Sequence, residues 1–321
     1  MKGTMKKQPF KIIGGALSII LILSVSIFTL IKLDQNKRTT DIISSNFAGY
    51  DFARAVTGDE SRVSMLLKPG AEVHDYEPTP EDIINVKNAD LFIYTGGESD
   101  KWVENLLKDN EIPEAKTLRL MDLVEVKEEE LSDGMEMHEH HHEEDVEYDE
   151  HVWTSPVNAI KLVNGIKDKL SDLHPKNEDI YAKNATSYIS RLSDIDQKIR
   201  NIISSSNKKE LIFGDRFPFR YFTDEYGLTY YAAFPGCSEQ TEASSQTIAY
   251  LINKAKSDNI KTILKIELTS DALAKTIADE VGAKVMTLNA THNISSTDFD
   301  KGVTYADIME GNIEVLKEAL K

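Results

Sequence analysis

The chain has 321 residues, of which 40% are hydrophobic and 28% are charged, and its formal net charge at pH 7 is −17. This length allows two compact domains, because domains commonly hold roughly 100 to 150 residues. The acidic balance argues against nucleic acid as a partner, since phosphate binding needs clustered Lys and Arg side chains, and it favours a cation.

An uncharged apolar segment lies near the N-terminus, from Ile12 to Ile31. Its twenty residues match the length that crosses the bilayer hydrocarbon, whereas the apolar region of a cleavable signal peptide has about 7 to 15 residues. We therefore predict that residues 1–38 form a membrane anchor, with a cleaved signal segment and a secreted protein as the alternative. The lysines before the run place the rest of the chain outside the cytoplasm. Residues 1–38 hold seven of the 37 basic and one of the 54 acidic residues, so the exported part has a net charge of −23.

Strand-like apolar runs alternate with helical patterns in residues 39–155. The predicted strands are DIISSN, SRVSMLL, DLFIYTG and TLRLMDL, and the predicted helices are GYDFARAV, PEDIINVKNA and DKWVENLL. Such alternation indicates a parallel sheet with helices on its faces, and it predicts an N-terminal α/β lobe.

An insert rich in acidic residues and histidine occupies residues 124–150 of this lobe. Its low apolar content predicts a mobile loop. Four clustered histidines could form an accessory site that gathers metal weakly: His138, His140, His141 and His142.

Residues 156–206 have the pattern of linking helices. From Asn177 to Ser204, apolar residues recur every three or four positions, as in one amphipathic helix of 28 residues. A helix of this length spans about 42 Å and could brace two lobes while limiting hinge motion. We expect its apolar face to pack within its own chain, as in a monomer, rather than in a coiled coil.

Residues 207–321 repeat the alternation of strands and helices. The predicted strands are ELIFGD, LTYYAAF, KTILKIEL and AKVMTLN, and the predicted helices are PFRYFTDEYG, SSQTIAYLINKAK, SDALAKTIADEVG and YADIMEGNIEVLKEALK. The predicted fold is therefore of the α/β class, with two lobes joined by a long rigid helix.

Three histidines stand apart from the cluster, each just beyond a strand or at the start of a helix: His74, His151 and His292. Ligand groups collect at the carboxyl ends of parallel strands, so these three side chains could converge. Taken singly, each is more often a surface or capping residue than a ligand. Three imidazoles with a carboxylate or water form an ordinary zinc shell, whereas manganese prefers more oxygen ligands, so the pattern favours Zn²⁺ over Mn²⁺.

Two of these histidines lie in motifs that resemble a known family. PGAEVHDYEPTPEDIINVKNADLFIYTGG and DEHVWTSPVNA are similar to the zinc and manganese ABC-transporter solute-binding proteins, whose usual forms read close to PGxExHxYEPTPxD and DPHxWLDP. The resemblance covers about Thr40 to Lys321. It implies two four-stranded lobes with one metal bound between them, and it makes His74 and His151 the first two ligands.

The chain departs from the family at a third ligand position, where a His or Glu is usual. Counting back from the aromatic helix places Arg216 there, and arginine does not bind metal. The fourth family position, commonly an Asp, falls at His292. The implied shell is therefore His74, His151 and His292, completed by water or by one of three carboxylates: Asp215, Glu267 and Glu72. Asp75, Glu77 and Asp149 are close enough in sequence to orient an imidazole through its second ring N–H, although each could equally be a helix cap.

Together, the histidines and the resemblance predict an extracytoplasmic receptor that captures zinc ion and delivers it to an ABC permease, and not an enzyme. An anchored zinc buffer or sensor without a permease is one alternative. A zinc hydrolase is another, because three His ligands and a water resemble a catalytic site, although no H-E-x-x-H motif accompanies them.

Overall fold

The structure is a computed structural model that describes residues 40–58, 61–71, 76–135, 147–236 and 243–321. Asp41–Lys321 forms one compact unit. The predicted anchor, His74, Glu72 and the four clustered histidines lie outside the described residues. Within the described ranges, no helix is both long and apolar enough to cross a membrane.

The first half of the chain contains a four-stranded sheet in the order β2-β1-β3-β4. Its strands are β1 Thr40–Ser44, β2 Ser61–Met65, β3 Leu91–Tyr94 and β4 Thr117–Arg119. The helices between them are α1 Phe47–Thr57, α2 Pro80–Asn88 and α3 Lys101–Asp109. The ladders from β1 to β3 and from β3 to β4 are parallel, so the carboxyl ends of these strands share one edge.

The second half contains a parallel sheet in the order β6-β5-β7-β8. Its strands are β5 Glu210–Phe217, β6 Thr229–Pro235, β7 Thr262–Lys265 and β8 Lys284–Thr287. Its helices are α6 Arg220–Tyr226, α7 Ser245–Ser257, α8 Ala272–Val281, α9 Ser296–Asp300 and α10 Tyr305–Ala319. The predicted class, with two four-stranded parallel sheets flanked by helices, is confirmed.

Two linking helices, α4 Pro156–Leu173 and α5 Glu178–Ser205, connect the halves. The 28-residue α5 begins one residue later than predicted, and its apolar face is buried within the same chain. Tyr188 of α5 donates a hydrogen bond to Asp51 of α1 (2.7 Å), and Arg191 pairs with Asp307 of α10 (2.7 Å). The long helix therefore braces elements from both halves.

One continuous hydrophobic cluster joins the two sheets through the linking helices. Ile42 and Leu91 contribute from the first sheet, and Phe213 and Leu264 from the second. Each sheet also has a smaller cluster of its own. A shared core fixes the two lobes more firmly than a polar interface would.

The described parts of the insert that was predicted as a mobile loop, residues 124–135 and 147–150, contact the rest of the chain. Val124 and Val126 pack against the main core, and Glu128 pairs with Tyr148 in an antiparallel bridge that closes the base of the insert. The Tyr230 hydroxyl donates to the Glu130 carbonyl (3.3 Å), which ties the insert to the second lobe. These contacts are long-range, so the low apolar content of the segment did not indicate them.

Candidate metal centre

Two of the predicted histidines meet between the lobes. His151 directly precedes the short 3-10 helix Val152–Thr154 at the start of α4, and His292 follows β8. Their ring centroids are 4.3 Å apart with an interplanar angle of 87°, and they are 0% and 8% exposed. Trp153 lies edge-on to both rings. The two imidazoles thus form a compact buried pair.

Asp149 orients the His151 ring. Asp149 Oδ1 lies 3.0 Å from His151 Nδ1 and also accepts the His151 backbone N–H (2.8 Å). A proton on Nδ1 leaves a lone pair on Nε2, and this buried atom has no hydrogen-bond partner among the described residues. Burial lowers the pKa of His151, but the charge and hydrogen bond of Asp149, together with the charges of Glu150 and Glu129, raise the pKa overall. This geometry supports the orienting role that the sequence allowed for Asp149.

The second lobe also touches the His151 ring through a glycine. A Cβ added to Gly236, directly after β6, would lie 3.0 Å from His151 Cε1 and 2.9 Å from the Phe217 carbonyl oxygen. Real Cβ atoms essentially never approach backbone this closely. The position therefore requires glycine if the ring is to stay in place.

A strained turn presents His292. Thr291 has a φ of 57°, which is unusual for a β-branched residue, and it precedes the ligand candidate directly. The Glu267 carboxylate stabilises the turn by accepting the backbone N–H groups of Ala290 (2.7 Å) and His292 (3.0 Å). Burial raises the pKa of Glu267 to about 7 against the lowering effect of these donors. Trp153 Nε1 donates to the Ala290 carbonyl (2.8 Å), so the turn is tied to the segment that carries His151.

Glu150 joins the two histidines, although it was not among the predicted ligands. One potential ligand atom from each of Glu150, His151 and His292 lies within 4.8 Å of the others, and all three residues are buried. The Glu150 carboxylate accepts hydrogen bonds from the Ser99 backbone N–H (2.9 Å) and the Ser99 hydroxyl. Burial raises its pKa to about 7, while His151 and Ser99 lower it. The available signal was the departure from DPHxW, since Glu150 stands where that form has proline.

The two other described carboxylate candidates are engaged elsewhere. Asp215 Oδ1 accepts the Arg216 N–H (2.8 Å), and its Oδ2 accepts the Ile266 N–H (3.1 Å) and the Thr269 hydroxyl (2.5 Å). It thereby holds the end of β7, just as Glu267 holds the turn before His292. Neither belongs to the three-residue group.

The segment that leads to His74 is anchored beside this group up to Ala71. The Asn293 side-chain amide donates to the carbonyl oxygens of Lys68 (2.9 Å) and Ala71 (2.8 Å), and the Gly70 N–H donates to the Ile294 carbonyl (2.8 Å). Chain leaving Ala71 therefore starts next to the residue that follows His292.

Two imidazoles and a carboxylate are a donor set that suits a divalent cation of borderline softness. Zinc accepts such His and carboxylate ligands in four-coordinate sites. The buried Nε2 of His151, with its tautomer set by Asp149, meets the chemical requirement for a nitrogen ligand.

A family model described as the periplasmic zinc-uptake complex component A matches residues 42–319. The chain is 35% identical over 282 residues to the high-affinity zinc uptake system protein ZnuA of Bacillus subtilis, and the match covers 87% of each protein. It is 32% identical over 308 residues to the zinc-binding lipoprotein AdcA of Streptococcus pneumoniae, covering 93% of this chain but only 60% of AdcA.

Solved structures show the same architecture. The Zn(II)-bound ZnuA-like domain of Streptococcus pneumoniae AdcA superposes with a TM-score of 0.73 at 31% identity, over 88% of this chain and 99% of that domain. The metal-dependent lipoprotein YcdH of Bacillus subtilis gives a TM-score of 0.73 at 32% identity, with the same two coverages.

Proposed function

Because the chain belongs to the family of zinc-uptake complex component A proteins, we propose that it is an extracytoplasmic receptor that captures zinc ion and delivers it to an ABC permease. The observation that carries this proposal is the buried His151–His292 pair, with Asp149 fixing the tautomer of His151. The family is one of zinc-uptake components rather than of catalysts. The chain is thus a binding protein and not an enzyme.

For the ligands we propose His74, His151 and His292. Support for His74 comes from the anchoring of Lys68 and Ala71 by Asn293, because it brings the preceding backbone next to His292. Imidazole-rich coordination favours zinc over manganese, which prefers oxygen ligands. The four histidines of the insert are proposed as an accessory, weak site.

For the organisation of the chain we propose an anchor or signal segment at 1–38, a metal-binding lobe at 39–155, linking helices at 156–206 and a second metal-binding lobe at 207–321. The apolar run of residues 12–31 would hold the receptor at the outer face of the membrane, or would be removed on secretion. The acidic surface and the burial of α5 support a monomer that does not bind nucleic acid.

Calorimetric zinc titration of the full-length protein in detergent tests the proposal. We expect one tight site in the wild type and its loss in three single variants, His74→Ala, His151→Ala and His292→Ala. Deletion of residues 137–145 should keep the tight site. The matched control is His174→Ala, which removes a histidine between the linking helices, outside the proposed site.

A wild-type protein without a tight zinc site would contradict the receptor proposal. A His292→Ala variant with wild-type affinity would contradict the proposed ligand set. Zinc uptake by cells that lack this chain separates the receptor from an anchored buffer or sensor, because only the receptor makes uptake at low external zinc depend on the chain. If the purified protein does not hydrolyse peptide or ester substrates, the alternative function of a zinc hydrolase is excluded.

A further inference from the structure

We infer that Glu150 is a direct zinc ligand, which supplies the anionic donor that Arg216 cannot provide. The inference rests on the proposed function, because it concerns the same site. Two other described carboxylates were candidates from the sequence, Asp215 and Glu267. Neither belongs to the group of donor atoms that Glu150 forms with His151 and His292, and both carboxylates instead hold the ends of strands and turns through hydrogen bonds.

The position of Glu150 is suitable for a ligand. Its carboxylate shares with His151 and His292 a set of donor atoms that lie within 4.8 Å of one another. Donors at about 2.0 to 2.2 Å from a tetrahedral zinc ion lie roughly 3.3 to 3.6 Å apart. The group therefore needs to contract by no more than about 1.5 Å, which side-chain rotation can supply.

The surroundings of Glu150 also favour the binding of a cation. The side chain is 1% exposed, and in the described part of the chain its carboxylate is hydrogen-bonded by Ser99 and pairs with no Lys or Arg. Asp100, a second buried carboxylate, lines a small cavity together with Glu150. A buried carboxylate is costly without a compensating positive charge, and a zinc ion between Glu150 and the two imidazoles would provide one.

The contacts with Ser99 are compatible with a ligand role. Each Glu150 oxygen accepts one hydrogen bond from Ser99, and a carboxylate has about four acceptor positions, so lone pairs remain for a metal ion. Ser99 would then orient the carboxylate in the way that Asp149 orients His151. The competing interpretation is that Glu150 only fastens the 3-10 helix Glu98–Asp100 to the segment before His151.

Zinc affinity of two full-length variants separates these interpretations. Glu150→Gln keeps the shape and an acceptor for Ser99 but removes the charge, and Ser99→Ala keeps the carboxylate but removes one of its hydrogen bonds. Changes in residues that only orient ligands typically cost about 10- to 100-fold in metal affinity. We expect Glu150→Gln to weaken zinc binding by more than about 100-fold and Ser99→Ala, which keeps the backbone hydrogen bond, by about 10-fold. Melting temperatures without metal should be similar for both variants if each is folded.

A crystal structure of the zinc-loaded wild type provides the direct measurement. A Glu150 oxygen at about 2.0 to 2.2 Å from the zinc ion is the expected result. The inference is overturned if the wild type binds zinc tightly but Glu150→Gln binds it equally well, if both variants lose affinity to the same extent, or if no Glu150 oxygen contacts the ion. Failure of the wild type to bind zinc would instead refute the proposed function.

Discussion

Replacement of Asp149 by Asn tests how much a residue outside the metal shell contributes to zinc affinity. Asp149 Oδ1 accepts two hydrogen bonds from His151, one from the ring and one from the backbone, in a fully buried setting. Asn can preserve both bonds through its carbonyl oxygen. The change is therefore one of charge, with little loss of packing.

The magnitude follows from the difference between charged and neutral hydrogen bonds. A bond to a charged group contributes about 1.5 to 3 kcal/mol and a neutral one about 0.5 to 1.5 kcal/mol, so the ring bond should lose about 1 to 1.5 kcal/mol. Since 1.4 kcal/mol corresponds to a factor of ten, zinc affinity at pH 8 should fall about 5- to 15-fold. Asp149→Ala also leaves two buried donors without an acceptor, so its loss should approach 100-fold.

The pH dependence gives Asp149→Asn a second signature. Asp149 raises the pKa of His151 above its ordinary value, so protons compete with zinc for this ring in the wild type. The Asn variant lowers that pKa, and its zinc affinity should decline at a lower pH than the wild-type affinity does. Competitive titration against a chelator from pH 5 to 8 measures both effects. An Asn variant with unchanged affinity and an unchanged pH midpoint would refute the assigned role of Asp149.

Two other expectations concern the metal-free protein and the contact between the lobes. Burial raises the pKa values of Glu150 and Glu267 to about 7. A carboxyl group whose pKa is higher in the folded chain than in the unfolded chain destabilises the fold once it ionises. The stability is therefore present at a pH below the unfolded-state pKa and is lost as the pH rises towards the folded-state pKa. The free energy of unfolding of the metal-free chain in urea should therefore be lower at pH 8 than at pH 5, by roughly 1 to 3 kcal/mol. Excess zinc should reverse this order. Equal free energies of unfolding at the two pH values in the metal-free chain would contradict the expectation. Gly236→Ala should weaken zinc binding at least about 10-fold by displacing the His151 ring, because the new methyl group would meet both the ring and a backbone carbonyl. Its matched control is Gly311→Ala in α10, where an added Cβ meets nothing within 4 Å and zinc affinity should stay unchanged.

The periodic parts of the chain were predictable because their apolar spacing is a local property. Every predicted strand is present, and α5 begins within one residue of its predicted start. That His151 and His292 could converge was also anticipated from sequence, since ligand groups collect near the carboxyl ends of parallel strands. The direction in which each side chain points could not be predicted from the sequence. Asp215 and Glu267 do lie at strand ends, but their oxygens are taken by backbone N–H groups that only the folded turn presents.

Glu150 illustrates why the rest of the site could not be predicted. In the sequence it is one acidic residue among many in EEDVEYDE, and only its place in the DPHxW form, where proline is usual, separates it from the others. Its contacts in the folded chain are with Ser99, 51 positions away. Long-range contacts of this kind leave no periodic signal.

The hydrogen bonds between the lobes limit how a metal ion can enter the site. Trp153 donates to the turn before His292 and accepts a hydrogen bond from the Tyr305 hydroxyl (2.7 Å), while Asn293 holds Lys68 and Ala71. Opening the lobes as rigid bodies would break these bonds and expose part of a shared apolar core. Zinc capture by this receptor should therefore proceed with the two lobes held in place by the linking helices and by the core that they share.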